Sequence, residues 1–207
     1  MGTDIYGGVE FRHPYAGTED YESEPWVTAM DLWPLYDETD YTSFGLLFGV
    51  RNYAGFAPVA PGRGLPVDLS STMHSSLASW VARGDMDGAS WVSWRELASI
   101  DPATRPDHFV GRVTWQGTSR SWMQHRQLVS DEWPSEVLAV VGTPPVEAGS
   151  GSQRVEWTNG DVACAYEPLT AGTVLGPDSD CPHVFAVMKA LAGRFGDDGV
   201  RLVVAFD

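Results

Sequence analysis

Lysine is nearly missing from this chain: Lys189 is the single lysine among 13 basic residues, set against 28 Asp and Glu. A net charge of −15 repels phosphate backbones and anionic headgroups, which argues against non-specific nucleic-acid binding and against attachment to acidic membranes. Cysteine is scarce too. Cys164 and Cys181 form no Cys-x-x-Cys pair, and their spacing leaves open whether they meet. No window reaches the roughly 18 apolar residues of a membrane span, and no repeat of about 20–50 residues is visible. The opening MGTDIYGGVEFRH has neither a basic leader nor an apolar stretch behind it, and Tyr6 stands where a myristoylation signal wants Ser or Thr. These absences fit a cytoplasmic protein with reduced thiols.

What is present describes a folded chain. Hydrophobic residues make up 43% of the 207 positions, with nine Trp, seven Tyr and eight Phe, enough to build a core without staples. The length suits one globular domain over 1–207, with a long Gly/Pro-rich loop at 52–68 and a flexible connection at 143–153. Strand patterns dominate both ends with helices between, so the expected class is α+β: a mostly antiparallel or mixed sheet with three to four helices.

Several elements are legible. TDIYGGVEF alternates around Ile5, Val9 and Phe11 and reads as a strand weakened at Gly7-Gly8; WVTAMDLWPLYD reads as a second strand or hairpin with an acidic rim. Phe44, Leu47 and Phe48 mark a short helix capped by Thr42 or Ser43. Met73, Leu77, Trp80 and Val81 follow helical spacing from a Ser70 or Ser71 cap to a stop at Gly84. Ser93-x-x-Glu96 is a capping box for another short helix that ends before Pro102. EVLAVVG reads as a buried strand, RVEWTNGDVACAY as a hairpin turning at Asn159-Gly160, Pro182 to Phe195 as an amphipathic helix stopped by Gly196, and VRLVVAF as a buried strand.

Charge is unevenly distributed. Residues 19 to 40 hold eight acidic side chains and no Lys or Arg, whereas Arg112, Arg120 and Arg126 sit with Trp115 and Trp122 on a β-prone stretch. The expected use of that stretch is an arginine ladder against the acidic segment; stacking of single-stranded bases is the alternative, disfavoured by the overall charge. Metal and nucleophile patterns are weak. No histidines have zinc spacing, GDMDGAS lacks a glutamate in register for calcium, and His74 on a helix does not face the adjacent Ser75. No cofactor and no metal are implied.

The stretch GVRNYAGFAPVAPGRGLP stands out, because it places Arg51 and Arg63 on a glycine- and proline-rich loop in an acidic chain. Guanidinium forks match phosphate or carboxylate oxygens, and glycine lets backbone amides approach a ligand; pairing with a carboxylate is the structural alternative. The loop matches no phosphate-cradle motif.

Taken in order, MGTDIYGGVE, GVRN, RGLPVDLS, SWVSWREL and VRLVVAFD resemble a family of uncharacterised phage and bacterial proteins, many opening Met-Gly-x-Asp-Ile-His. The likeness runs end to end, except for the motif-free middle from about residue 100 to 180. The shared pattern comprises Asp4, Glu10, Arg51, Asn52, Arg63, Gly64, Ser90 and Trp91. Tyr6 and Ala89 stand where that family has histidines, which removes any imidazole chemistry there. No activity is attached to that family, so the resemblance implies none.

The leading expectation is binding of a small anionic ligand, nucleotide-like or phosphorylated, through Arg51, Asn52, Arg63 and Gly64, with Asp4 and Glu10 as orienters or a base. The alternative is an acidic interaction module that masks a basic protein partner through residues 19–40, distinguished by whether Trp26, Trp33 and Tyr36 are exposed. An enzyme assembled from residues distant in sequence is a third reading.

Overall fold

The computed structural model describes residues 3–37, 39–117, 124–149 and 153–207. Its elements run β1 (Ile5–Arg12), β2 (Trp26–Asp31), α1 (Tyr41–Phe48), α2, β3 (Gly88–Ser93), α3 (Trp94–Ala98), β4 (Gly111–Gly117), β5 (His125–Val129), α4 (Ser135–Val141), β6 (Val155–Asn159), β7 (Val162–Pro168), α5 (Ala171–Val174), α6 (Cys181–Phe195) and β8 (Val200–Phe206). Helix α2 is one continuous run of Ser71–Met73, a π-helical turn at His74–Ala78, and Ser79–Arg83. Two four-stranded antiparallel sheets and six helices among the described residues make the fold α+β. The chain divides into two compact units: residues 1–52, 57–100 and 175–207 form the first, and 53–56 with 101–174 the second.

In the first unit the sheet order is β2-β1-β8-β3. All seven residues of β8 are buried, as a continuous apolar strand covered on both faces must be. Val9, Val92, Leu202 and Val204 pack on one side with Phe44 and Leu47 of α1 and Val184 and Met188 of α6. On the other side Val203 and Ala205 meet Met73 and Leu77 of α2. Gly8 is what lets α2 approach, since a Cβ there would lie 2.1 Å from the Met73 methyl. Gly8 therefore serves packing, and the pairing of β1 with β8 runs unbroken through both glycines.

Two local expectations change. Asp40, not Thr42 or Ser43, caps α1, accepting from the Thr42 amide at 2.9 Å and from the Ser43 hydroxyl. The π turn in α2 adds a residue to the helical repeat, so Trp80 rotates to the flank and rests edge-on against Tyr6. The loop 52–68 contains neither helix nor strand, and Gly64 donates its amide to the Ala89 carbonyl at 3.0 Å, stitching the loop to β3.

In the second unit the order is β5-β4-β7-β6. Here EVLAVVG is helix α4 and not a strand. Pro134 starts it, and Val137 and Val141, four apart, are the residues it buries against Val113, Cys164 and Tyr166. The hairpin forms one residue later than expected, with Asn159 paired to Val162 and Gly160 left-handed in the turn. Two of the arginines find partners within this unit: Arg112 pairs with the facing Glu167 at 2.6 Å and Arg126 bonds Gln124. Arg120, Trp122 and Ser150 to Ser152 lie outside the described residues. Both cysteines are free and buried.

Candidate functional site

One row across the first sheet is polar on all four strands. Register pairs Thr28 with Glu10, Glu10 with Arg201 and Arg201 with Ser93, so four strands place these side chains in line on the α2 face. A charge inside an apolar strand needs a partner. Arg201 donates Nε to Glu10 Oε2 at 2.8 Å, with both side chains almost wholly buried (4% and 0% exposed). Its remaining reach goes to Asp68, to the carboxylate at 2.7 Å and to the carbonyl at 3.1 Å. The guanidinium lies over Trp26, its central carbon 3.8 Å from the ring centroid, and the Trp26 indole donates to Asp68. Glu10 Oε1 accepts from the Ser70 amide, so both of its oxygens are used.

Beside this row the loop bearing Arg63 closes on β3 and α3. Arg63 binds both oxygens of Glu96, at 2.6 and 3.1 Å, reaches the carbonyls of Val59 and Trp91, and sits 5.0 Å from the Trp91 ring centroid. Glu96 also completes the capping box of α3 by accepting from the Ser93 amide and hydroxyl. The Arg63 hydrogen bond and the Ser93 donors outweigh burial and hold the Glu96 carboxyl at about 2. Burial raises the Asp68 carboxyl, but the bonds and charge of Arg201 with the Trp26 indole bring it below its ordinary value.

These groups wall a cleft of about 680 Å³, which is within the size range of small-molecule sites. Leu65, Pro66 and Val67 give it an apolar side, Trp26 and Trp91 two indoles, and Arg95 with Asp198 a rim. Val67 is fully exposed. Arg95 chelates Asp198 through Nε and, at 2.6 Å, through its terminal nitrogen, with 61% and 71% of the two side chains exposed.

The residues expected from sequence separate. Arg63 borders the cleft, Gly64 holds its loop in the left-handed region at φ 74°, and Glu10 lies beneath the cleft. Arg51 is elsewhere: itself left-handed at φ 47°, it donates to Thr3 Oγ1 at 2.8 Å and lies over the Tyr41 ring. Asn52 packs against Gly45, where a Cβ would meet its side-chain oxygen at 2.8 Å. Asp4 sits at the start of β1, accepting from Thr39 and donating its amide to Asp207. Arg201, Asp68, Arg95 and Asp198 were not singled out by sequence reasoning. The usable signal was Arg201, a lone charge in VRLVVAF.

Of the three aromatic residues that test the interaction reading, Trp26 and Tyr36 are buried and Trp33 is 74% exposed. Among the described residues no group of three or more His, Cys, Asp or Glu could hold a metal ion, and no helix is long and apolar enough to cross a membrane. No protein-family model, no curated protein and no solved structure matches the chain.

Proposed function

We propose that the first unit binds a small organic anion, nucleotide-like or otherwise phosphorylated or carboxylated, in the cleft between the Arg63 loop, β3 and α3. Arg63 and Arg201 form the frame of the site, and Arg95 is the hand that turns to the ligand. The observation that carries this reading is the contrast in how the arginines are held. Arg201 is fixed by two carboxylates and a carbonyl, and Arg63 by one carboxylate and two carbonyls. Arg95 is held only by the exposed Asp198, and an ion pair in high dielectric is readily exchanged for a ligand oxygen. Leu65 and Val67 with the indole of Trp91 offer the ligand body an apolar wall.

The same geometry favours binding over acid–base chemistry. The carboxylates of the cleft, Asp68, Glu96 and Asp198, are all held below their ordinary values, and weakly basic carboxylates make poor proton acceptors at neutral pH.

The test is a thermal-shift screen of nucleotides, sugar phosphates and aromatic carboxylates on the wild type, Arg95→Ala and Asp198→Asn. A ligand at about a hundred times its dissociation constant raises stability by roughly 2.7 kcal/mol, a visible rise in Tm. The rise should vanish in Arg95→Ala and grow in Asp198→Asn, where the competing carboxylate is gone. Absence of any rise in both wild type and Asp198→Asn would sink the reading.

A further inference from the structure

Strand β2 is the outer strand of its sheet, with β1 on one side and no strand on the other among the described residues. A sheet edge presents unpaired backbone donors and acceptors, and proteins cover, shorten or charge such edges. This one is short and bounded by Pro25 and Pro34, but its surface is not bland. Ala29, Met30 and Asp31 are exposed in the strand, and Trp33 just beyond it is the most exposed tryptophan among the described residues.

The chain leading into and out of β2 is acidic. Glu19, Asp20, Glu22, Asp31 and Asp37 are exposed, and none of them makes an ion pair among the described residues. The seven carboxylates that are met by an arginine, Glu10, Asp68, Asp85, Glu96, Glu156, Glu167 and Asp198, all lie outside residues 19–40. The acidic segment contains no Lys or Arg of its own. A second copy of this chain would set acid against acid at the edge, which costs free energy.

From this we infer that β2 receives an extended, arginine- or lysine-bearing segment of a partner protein as a fifth strand. The backbone supplies the ladder, Met30 and Trp33 supply apolar anchors, and the unpaired carboxylates supply attraction and speed of encounter. The flanking prolines limit the added strand to the length of β2, six residues. The two anchors, Met30 and Trp33, line no part of the cleft.

The probe is a ten-residue peptide alternating Arg with Val, compared with its Glu-for-Arg counterpart and with a version N-methylated at alternate backbone amides. Binding is followed by amide NMR shifts and hydrogen exchange on the full chain. The Arg peptide should saturate, with shifts and protection concentrated on residues 26–33, and its affinity should fall as salt rises from about 50 to 200 mM. Trp33→Ala should weaken it tenfold or more. The Glu peptide should not bind, and methylation on the ladder side should abolish binding. Shifts spread over the whole acidic surface would overturn the inference, as would indifference to methylation and to Trp33→Ala, because charge alone would then explain the contact. Absence of saturable binding overturns it outright.

Discussion

Two arginine–carboxylate pairs face the same cleft with opposite environments. Arg201 and Glu10 lie beneath it with 4% and 0% of their side chains exposed, whereas Arg95 and Asp198 stand at its rim mostly in water. The hydrogen-bond lengths and the chemistry are similar; the dielectric is not. Beneath the cleft each charge has lost its hydration and depends on its partner, so the pair belongs to the fold. At the rim water competes for both partners, so the pair is replaceable and its arginine is available to a ligand. Arg63 and Glu96, about a third exposed, fall between.

The widest break in this comparison comes from removing one member of the buried pair. Arg201→Met leaves the Glu10 carboxyl in the core without its ion-pair partner, at a cost of about 3–5 kcal/mol. Urea denaturation should show a greatly lowered midpoint or an unfolded chain. Replacing both, Glu10→Met with Arg201→Met, should recover part of that loss, because two apolar side chains leave no orphaned charge. If the double variant is as damaged as the single, the row is held by shape, and the electrostatic account of it fails.

An intermediate effect is expected at Arg63, and it should depend on pH. The folded Glu96 carboxyl is held at about 2, largely by Arg63, below its ordinary value of 4.5. A depressed carboxylate contributes stability above its unfolded pKa and loses it as pH falls toward the folded one. The gap in Tm between wild type and Arg63→Ala should therefore be full above about pH 5 and close between about 4.5 and 2. A gap that persists unchanged to pH 2 would assign Arg63 to packing on Trp91 instead. Near neutrality we expect the loss to be about 1.5 kcal/mol, the low end for a hydrogen bond to a charged group, because the pair is about a third exposed.

The order of these effects follows features that the sequence shows unequally. Pro182, Gly196 and the Ser93-x-x-Glu96 box announce α6 and α3, because capping and helix stops are decided within a few residues. VRLVVAF is legible because a strand covered on both faces is apolar throughout. EVLAVVG is not, since a short apolar run suits a buried strand or a helix alike, and only its neighbours Val113 and Tyr166 decide. Ser90 to Ser93 belong to β3, which the capping box behind them hid. The Gly/Pro loop pointed to Arg63, but closeness in sequence grouped it with Arg51, which the chain reversal at φ 47° sends to Thr3. Arg201 lies 191 positions from Glu10, and only antiparallel register brings them opposite one another.

The smallest effect on the fold is expected where the proposed effect on function is greatest. Both Arg95 and Asp198 are solvated, so folding takes little hydration from either, and holding two long side chains in one geometry costs entropy. Arg95→Ala should leave the urea midpoint unchanged within error, because an exposed pair in high dielectric adds little to stability. Asp198→Asn should do the same. The two variants should then diverge once a ligand is present, one losing the thermal shift and the other enlarging it. A clear fall in stability for Arg95→Ala without ligand would mean that the rim pair fastens α3 to the 197–199 turn, and Arg95 would then join Arg63 and Arg201 in the frame. Equal stability with unequal ligand response is the result that separates a binding arginine from a structural one.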